Sequence, residues 1–314
     1  MEARVLTPTA GMEREEWLRQ RRRGIGGSDA AAILGLHPFS SPVEVWAEKT
    51  GRTREQPENE AMWLGRAMEE HVAQRFAQES GVKIARRNAI LQHPDYPWML
   101  ANIDRRIVGE RAGLEVKTTS PWNKTRFDKG DIPAHYYIQC MHYLAVTGWD
   151  YWMLAVYVFG RGLNVFRVDR DADEIDSLIA SERRFWEQNV LVDVLPDFDG
   201  SKTAQQVLNE TYPQAAKDCV MIVGAEDDCE AYLKLDEQIK ALEKERDAHK
   251  QRLMSLVGDA QVGECIDYTV KWSNVAGKAT FDAKRLQKDL PEIYEQYVKV
   301  GAPTRRFTVK KKEA

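Results

Sequence analysis

The chain has 314 residues, 43% of them apolar and 30% charged, and carries a formal net charge of −4. Those proportions suit a soluble globular protein with one large domain, or one domain and an appendage. They exclude a helical membrane span, because the longest apolar run, 151–159, is far too short, and they argue against coating nucleic acid by bulk positive charge. The N-terminus, with Glu2, Arg4, Thr7 and Pro8, lacks the apolar core of a signal peptide. Cys140, Cys219, Cys229 and Cys265 are scattered without a paired spacing, so free thiols in a reducing cytoplasm are expected.

In chain order, residues 13–23 read as a helix. Gly24, Ile25, Gly26, Gly27, Ser28 and Asp29 then turn the chain into a short alanine-rich helix ending near Gly35. Ser28 or Asp29 is its expected cap, and the glycines let a phosphate approach backbone N–H groups. A polar loop over 51–59 leads into a strong helix over 60–79. Strands are expected at 82–87, 98–104, 114–118, 151–159 and 163–168, the last two as a hairpin about Gly160 and Gly162. A helix over 133–147, with Pro133 in its first turn, separates the third strand from the fourth, and another covers 172–187. The pattern is α/β.

Pro196 and Gly200 mark a boundary, giving a first domain of residues 1–195 and an extension of 196–314. The extension reads as a long charged helix over 226–256, an arm or a helical hairpin. Strand-rich pieces at 261–271 and 279–281, a helix over 291–297 and a basic tail over 305–312 follow it. Basic residues cluster at 21–23, 86–87, 105–106 and 124–129, whereas acids gather at 169–176 and 225–247. The basic clusters share the half of the chain that holds the carboxylates discussed next, which favours a polyanionic substrate.

The densest chemistry lies at Asp104, Glu115 and Lys117. A short strand through Glu115, Val116 and Lys117 points Glu115 and Lys117 to one face. Asp104 closes the apolar run 98–103, and turn residues over 109–113 allow a hairpin that brings it beside them. Two carboxylates that close repel unless a cation sits between them, and hard oxygen ligands suit magnesium or manganese. A lysine on the same face can hold an attacking water or steady a phosphoryl oxygen. This is equipment for metal-dependent phosphodiester cleavage.

Glu69 or Glu70 can add a carboxylate from the 60–79 helix, where Gly65 lies one turn earlier and permits a close approach. Tyr136 and Gln139 share a helix face, and the glutamine can orient water or a phosphate oxygen. Tyr137, Met141 and Tyr143 read as core. His135 and His142 make no convincing zinc set.

Taken in order, these pieces resemble a known pattern: Trp17, Arg21, the run 24–29, Leu64 with Gly65 and Glu69, Asp104, Glu115 with Lys117, and Pro133 with Tyr136 and Gln139. The pattern is that of the YqaJ-type viral recombinase nucleases, lambda-exonuclease-like phage alkaline exonucleases of the PD-(D/E)XK superfamily. The resemblance covers roughly residues 13–170, and Ile103 stands where the superfamily has a proline.

It implies an α/β restriction-endonuclease-like core, a central mixed sheet flanked by helices, with a helical and small β C-terminal extension. Asp104, Glu115, the Val116 carbonyl and Glu69 would hold magnesium, two ions per site, with manganese able to substitute. Lys117 would position or deprotonate the attacking water, supported by Gln139. Arg21 and Ser28 would bind a terminal 5′-phosphate, with Arg22 and Arg23 competing for the arginine's part.

The implied activity is 5′→3′ resection of one strand of linear double-stranded DNA, releasing 5′-mononucleotides and leaving a 3′ overhang. The implied partners are two further copies in a ring-shaped homotrimer and a phage single-strand annealing protein, with no membrane. Alternatives are an endonuclease with the same metal site, an iron–sulfur relative disfavoured by the scattered cysteines, and a nonenzymatic DNA-binding scaffold.

Overall fold

A computed structural model describes residues 2–52, 59–123, 127, 129–216, 219–299, 301 and 304–312. Most of the polar loop 51–59 and most of the basic cluster 124–129 thus lie outside the described residues. The chain divides into two compact units, Met1–Tyr212 and Pro213–Ala314. Among the described residues no helix is long and apolar enough to cross a membrane.

The first unit opens with β1 (Arg4–Pro8), α1 (Arg14–Arg21), α2 (Gly27–Ile33), α3 (Pro42–Lys49) and α4 (Glu60–Ser80). Short strands follow: β2 (Ile84–Ala85), β3 (Ala89–Gln92), β4 (Leu100–Ala101) and β5 (Arg105–Ile107). The remainder comprises β6 (Ala112–Thr119), α5 (Ala134–Thr147), β7 (Tyr151–Val158), β8 (Gly162–Asp169), α6 (Ala172–Phe185) and α7 (Lys202–Thr211). A five-stranded sheet has the order β2-β5-β6-β7-β8, and a three-stranded one the order β1-β3-β4. Only the β6–β7 pair of the larger sheet is parallel, and α5 lies in the crossover between its two strands. A mixed sheet flanked by helices is the α/β arrangement expected of a PD-(D/E)XK core, and the second unit adds the helical and small β extension.

Alternation along β6 assigns its faces. Leu114 and Val116 join Val72, Ala73 and Phe76 of α4 in one apolar cluster. The opposite face carries Leu154 and Val156 of β7, packed in the cluster that holds Cys140, Met141 and Leu144 of α5. Each such leucine or phenylalanine contributes on the order of 1.5–3 kcal/mol when fully buried. Helix α4 begins where Asn59 Oδ1 accepts the Met62 N–H at 2.9 Å and ends at Gly81, whose φ of 72° closes the last turn.

Several local expectations change. Gly113 is not a turn residue: it pairs with Trp152 across the β6–β7 ladder, and a Cβ on it would lie 2.2 Å from the indole. The turn is confined to 108–111, where Gly109 takes a φ of 87°. The expected strand 98–104 is reduced to Leu100–Ala101, and 82–87 to Ile84–Ala85, because each pairs over only two residues. Gly26, not Ser28 or Asp29, is the N-cap of α2, while the Asp29 carboxylate accepts the Gly26 N–H at 2.9 Å. Residues 279–281 form no strand. Strands β1, β3 and β5 and helices α3 and α7 of this unit lie outside the expected elements; the strands are short and held by their ladders, and the two helices share one apolar cluster.

In the second unit, α8 (Glu226–Val257) is one unbroken helix, followed by β9 (Val262–Glu264) and β10 (Thr269–Lys271) as an antiparallel pair. Helices α9 (Ala283–Asp289) and α10 (Pro291–Tyr297) complete it. The basic tail returns to α8 through an edge contact of Phe307 with Tyr232, ring centroids 5.5 Å apart.

Replacing Gly113 with alanine forces the Trp152 ring aside and should cost about 1–3 kcal/mol, the usual range for overpacking. The check is the urea midpoint. Gly113→Ala combined with Trp152→Phe should lose less than the two single variants summed; an unchanged midpoint in Gly113→Ala would show that the ring yields freely.

Candidate metal and phosphate site

The site starts from strand register. Arg105 pairs with Leu114 across the antiparallel β5–β6 ladder, so the next step sets Asp104 opposite Glu115. There Asp104 Oδ2 accepts the Val116 N–H at 2.9 Å. Lys117 Nζ lies 2.6 Å from Glu115 Oε1, as period-two geometry requires of residues two apart. Gln139 Nε2 donates to the same oxygen at 2.7 Å and to Tyr143 Oη at 2.9 Å. The Tyr136 ring stands 5.5 Å from the Lys117 ammonium. Tyr143 is core, as expected, but also a member of this polar network. Met141 is plain core, and the half-buried Tyr137 donates its hydroxyl to Glu174 at 2.6 Å.

Glu115 is 2% exposed, and its Oε2 has no hydrogen-bond partner among the described residues. Burial first, then the charges of Glu115 and Glu69, push the Asp104 carboxyl well above the ordinary aspartate range. Burial likewise raises Glu115, with Glu69 adding to it and Lys117 opposing. For Lys117 burial works against the charge, but Glu115 and Asp104 outweigh it and hold the ammonium above the ordinary lysine range. Close acidic oxygens with raised pKa values, one of them orphaned, are what a hard divalent cation relieves. Asp104 and Glu115 therefore fit such an ion.

The two glutamates of α4 diverge. Arg105, a buried guanidinium at 4% exposure, donates to Glu69 at 2.7 Å and to Glu70 at 2.9 Å. Glu70 also takes Arg86, whose hydrogen bond is the main cause holding its carboxyl below the ordinary range. Glu69, by contrast, is felt by both Asp104 and Glu115. With Glu69 engaged by Arg105, no three His, Cys, Asp or Glu side chains among the described residues gather tightly enough to hold a metal ion. An open cleft of about 200 Å³ runs past Glu69 and Asp104, with Trp17, Arg86, Arg87 and Asn102 on its walls. Gly65 is less constrained than its spacing suggested, since an added Cβ would meet Thr118 Oγ1 at an ordinary 3.5 Å.

A second cluster gathers at the start of α2. Arg21 Nη2 lies 3.1 Å from both Ser28 Oγ and Asp29 Oδ1, and its guanidinium sits 5.1 Å from the Trp17 ring centre. Lys49 Nζ pairs with the other Asp29 oxygen at 2.6 Å. Burial alone would raise the Asp29 carboxyl, but Lys49 and Arg21 outweigh it and hold it well below the ordinary range. Arg22 and Arg23 are exposed, and Arg23 bonds Gln20 instead. Helix α2 meets α5 closely enough that a Cβ on Gly27 would lie 2.6 Å from the Tyr143 ring and 3.1 Å from Gln139 Cγ. The sequence alone does not point to Lys49, to the pairing of Arg105 with Glu69 and Glu70 or to the network role of Tyr143, because the acids concerned lie far away in the chain. His142 is fully buried between Glu182 and the Leu100 carbonyl, a structural role with no metal partner among the described residues.

Residues 16–150 match the family model of the YqaJ-like viral recombinase domain. The YqaJ protein of Bacillus subtilis (strain 168) is 37% identical over 313 residues, covering 98% of each chain. Among solved structures, the fold is similar to an alkaline exonuclease, LHK-Exo, from Laribacter hongkongensis, with a TM-score of 0.49 and 21% identity over 55% of this chain and 91% of that one. A phage-related exonuclease from Haemophilus somnus 129PT gives a TM-score of 0.38 and 11% identity over 54% and 96%. Its identity to the Bacillus protein across almost the whole of both sequences means that this chain belongs to the YqaJ family.

Proposed function

We propose that the protein is a magnesium-dependent 5′→3′ exodeoxyribonuclease that resects one strand of linear double-stranded DNA from 5′-phosphorylated ends. One observation carries the reading: a single antiparallel step sets Asp104 opposite Glu115, whose other neighbours are Lys117 and Gln139. Residues 1–195 would be the nuclease domain and 196–314 its extension. The description of the family's domain as a viral recombinase agrees with a product that keeps a 3′ overhang for strand annealing.

Asp104, Glu115 and the Val116 carbonyl would hold the metal, two magnesium ions with manganese able to substitute, and Glu69, paired with Arg105, would add the next carboxylate. When bound, such ions supply Lewis-acid charge to water and to the scissile phosphate. The rest falls to the chain itself. The Lys117 ammonium steadies the attacking water and a phosphate oxygen, the positioning part rather than the base's. Gln139 fixes the Glu115 carboxylate. Arg86 and Arg87 line the cleft where the strand's phosphates would pass, and Arg21 with Ser28 receives the terminal 5′-phosphate. A ring-shaped homotrimer, a phage single-strand annealing partner and a bacterial cytoplasmic setting, consistent with four free cysteines, belong to the same reading.

The deciding assay uses linear duplex labelled at each 3′ end, with 5′-phosphate or 5′-hydroxyl termini, beside a closed circle. Nucleotides should leave 5′-phosphorylated ends in magnesium while the circle stays intact. Lys117→Ala should slow release by roughly 10²–10³-fold, the usual cost of removing one charge-stabilising donor, with duplex binding retained, and Ser28→Ala should shrink the preference for phosphorylated ends. Cuts in the circle would make the enzyme an endonuclease; cleavage that persists in Lys117→Ala would remove the lysine from the site.

Melting temperature tests the metal without catalysis. Because Asp104 and Glu115 have raised native pKa values, the folded chain keeps protons that the unfolded one releases. Their contribution to stability is therefore present at low pH and lost as pH rises from the ordinary carboxylate range through the native values. Magnesium or calcium should raise the melting temperature more at pH 8 than at pH 5.5. Asp104→Asn should melt higher than wild type without metal at pH 8 and respond less to it. Equal metal response at both pH values would count against these ligands.

A further inference from the structure

The second unit holds a cleft of about 480 Å³ between α8 and β10, remote in sequence from every residue of the candidate metal and phosphate site. Leu253 and Met254 of the helix and Val270 of the strand give it an apolar floor. Arg246, His249, Lys250 and Lys271 complete the lining with Trp272, and no carboxylate among the described residues belongs to it. Trp272 is 47% exposed. Arg246 shares Asp247 at 3.3 Å, whereas His249, Lys250 and Lys271 make no ion pair with a described residue.

A chain of net charge −4 has gathered Arg246, His249, Lys250 and Lys271 around one apolar, aromatic recess, with only Arg246 paired to an acid among the described residues. We infer that this cleft binds a single strand of nucleic acid, the Trp272 indole stacking a base and the basic rim meeting the flanking phosphates. Every base has a face to stack, so the site discriminates strandedness rather than sequence. A duplex has its bases stacked inside and offers the indole nothing. The apolar floor accounts for a recess rather than a flat basic patch, and its volume suits one or two nucleotides. The choice of DNA over RNA rests on the nuclease reading above; the binding chemistry does not.

The test is anisotropy of fluorescein-labelled oligothymidylate and oligouridylate of 20 nucleotides with the full chain in EDTA, where cleavage plays no part. Trp272→Ala should weaken binding by about fivefold or more, the lower end of the value of one stacked base. Trp272→Phe should keep most of the affinity, which also guards against a misfolded alanine variant. Lys250→Glu combined with Lys271→Glu should weaken binding at least about tenfold and reduce the steepness of the log affinity against log salt plot by about 1.4, two phosphate contacts at 0.7 each.

Losses on both oligomers support a general single-strand site; a loss on oligothymidylate alone supports one specific for DNA. Unchanged binding in all variants, or displacement of the oligomer by polyglutamate as readily as by unlabelled strand, would overturn the inference. Because no cleavage is read, a protein inactive on duplex ends that shows this pattern would lose the proposed nuclease function and keep the cleft.

Discussion

The antiparallel pairing of β5 with β6 sets where the acidic groups of the site lie. Leu114 and Val116 are buried under α4, and that burial fixes which face of β6 is apolar. Glu115 and Lys117 must then point the other way, toward α5, where Gln139 meets them. A register slip of one residue would put Glu115 into the apolar cluster and Leu114 into the site, so packing holds the chemistry in register. Asp104 depends on the same ladder: it has no strand of its own and is positioned by standing one residue before β5 and by its hydrogen bond to the Val116 N–H.

Burying carboxylates in this way is costly, and the molecule offsets the cost unevenly. One oxygen of Glu115 is met by Lys117 and Gln139, while the other has no partner among the described residues. Asp29 is treated differently. Both its oxygens are engaged, by Arg21 and by Lys49 with the Gly26 N–H, so its charge is fully compensated. The two clusters are built for different partners. The Glu115 cluster retains uncompensated negative character that suits a cation, whereas at Asp29 the compensated carboxylate fixes Arg21 beside Ser28, a donor pair suited to an anion. Tyr143 and Gln139 stand between them, packed where Gly27 leaves room.

What could be read from the sequence was what local periodicity encodes. The common face of Glu115 and Lys117, the α4 helix, the β7–β8 hairpin and the extent of α8 all follow from repeats of two or 3.6 residues. What could not be read was set by distant partners. Gly113 looks like a turn residue until Trp152 is placed over it, and Gly24 is needed because a Cβ there would lie 2.3 Å from the Trp98 carbonyl. Strands of two residues, such as Ile84–Ala85, carry no period at all. Glu69 and Glu70 are adjacent on one helix and share Arg105; Arg86 on Glu70, and the charges of Asp104 and Glu115 near Glu69, separate their roles.

Charge shows the same limit most clearly. In the sequence, Arg105 belongs to a basic cluster suggestive of a polyanion-binding surface, yet in the fold it is buried between Glu69 and Glu70 and is spent on holding α4 to the sheet. Lys49 is likewise consumed by Asp29. The groups left to meet a phosphate are those that no carboxylate among the described residues has taken: Arg87 along the first unit's cleft, where Arg86 is already paired with Glu70, and His249, Lys250 and Lys271 in the second unit. Lys250 comes just after an acid-rich stretch of helix, where a net-charge count would hide it. Where a basic residue stands matters less than whether the fold has already neutralised it, and that is decided by tertiary pairing rather than by composition.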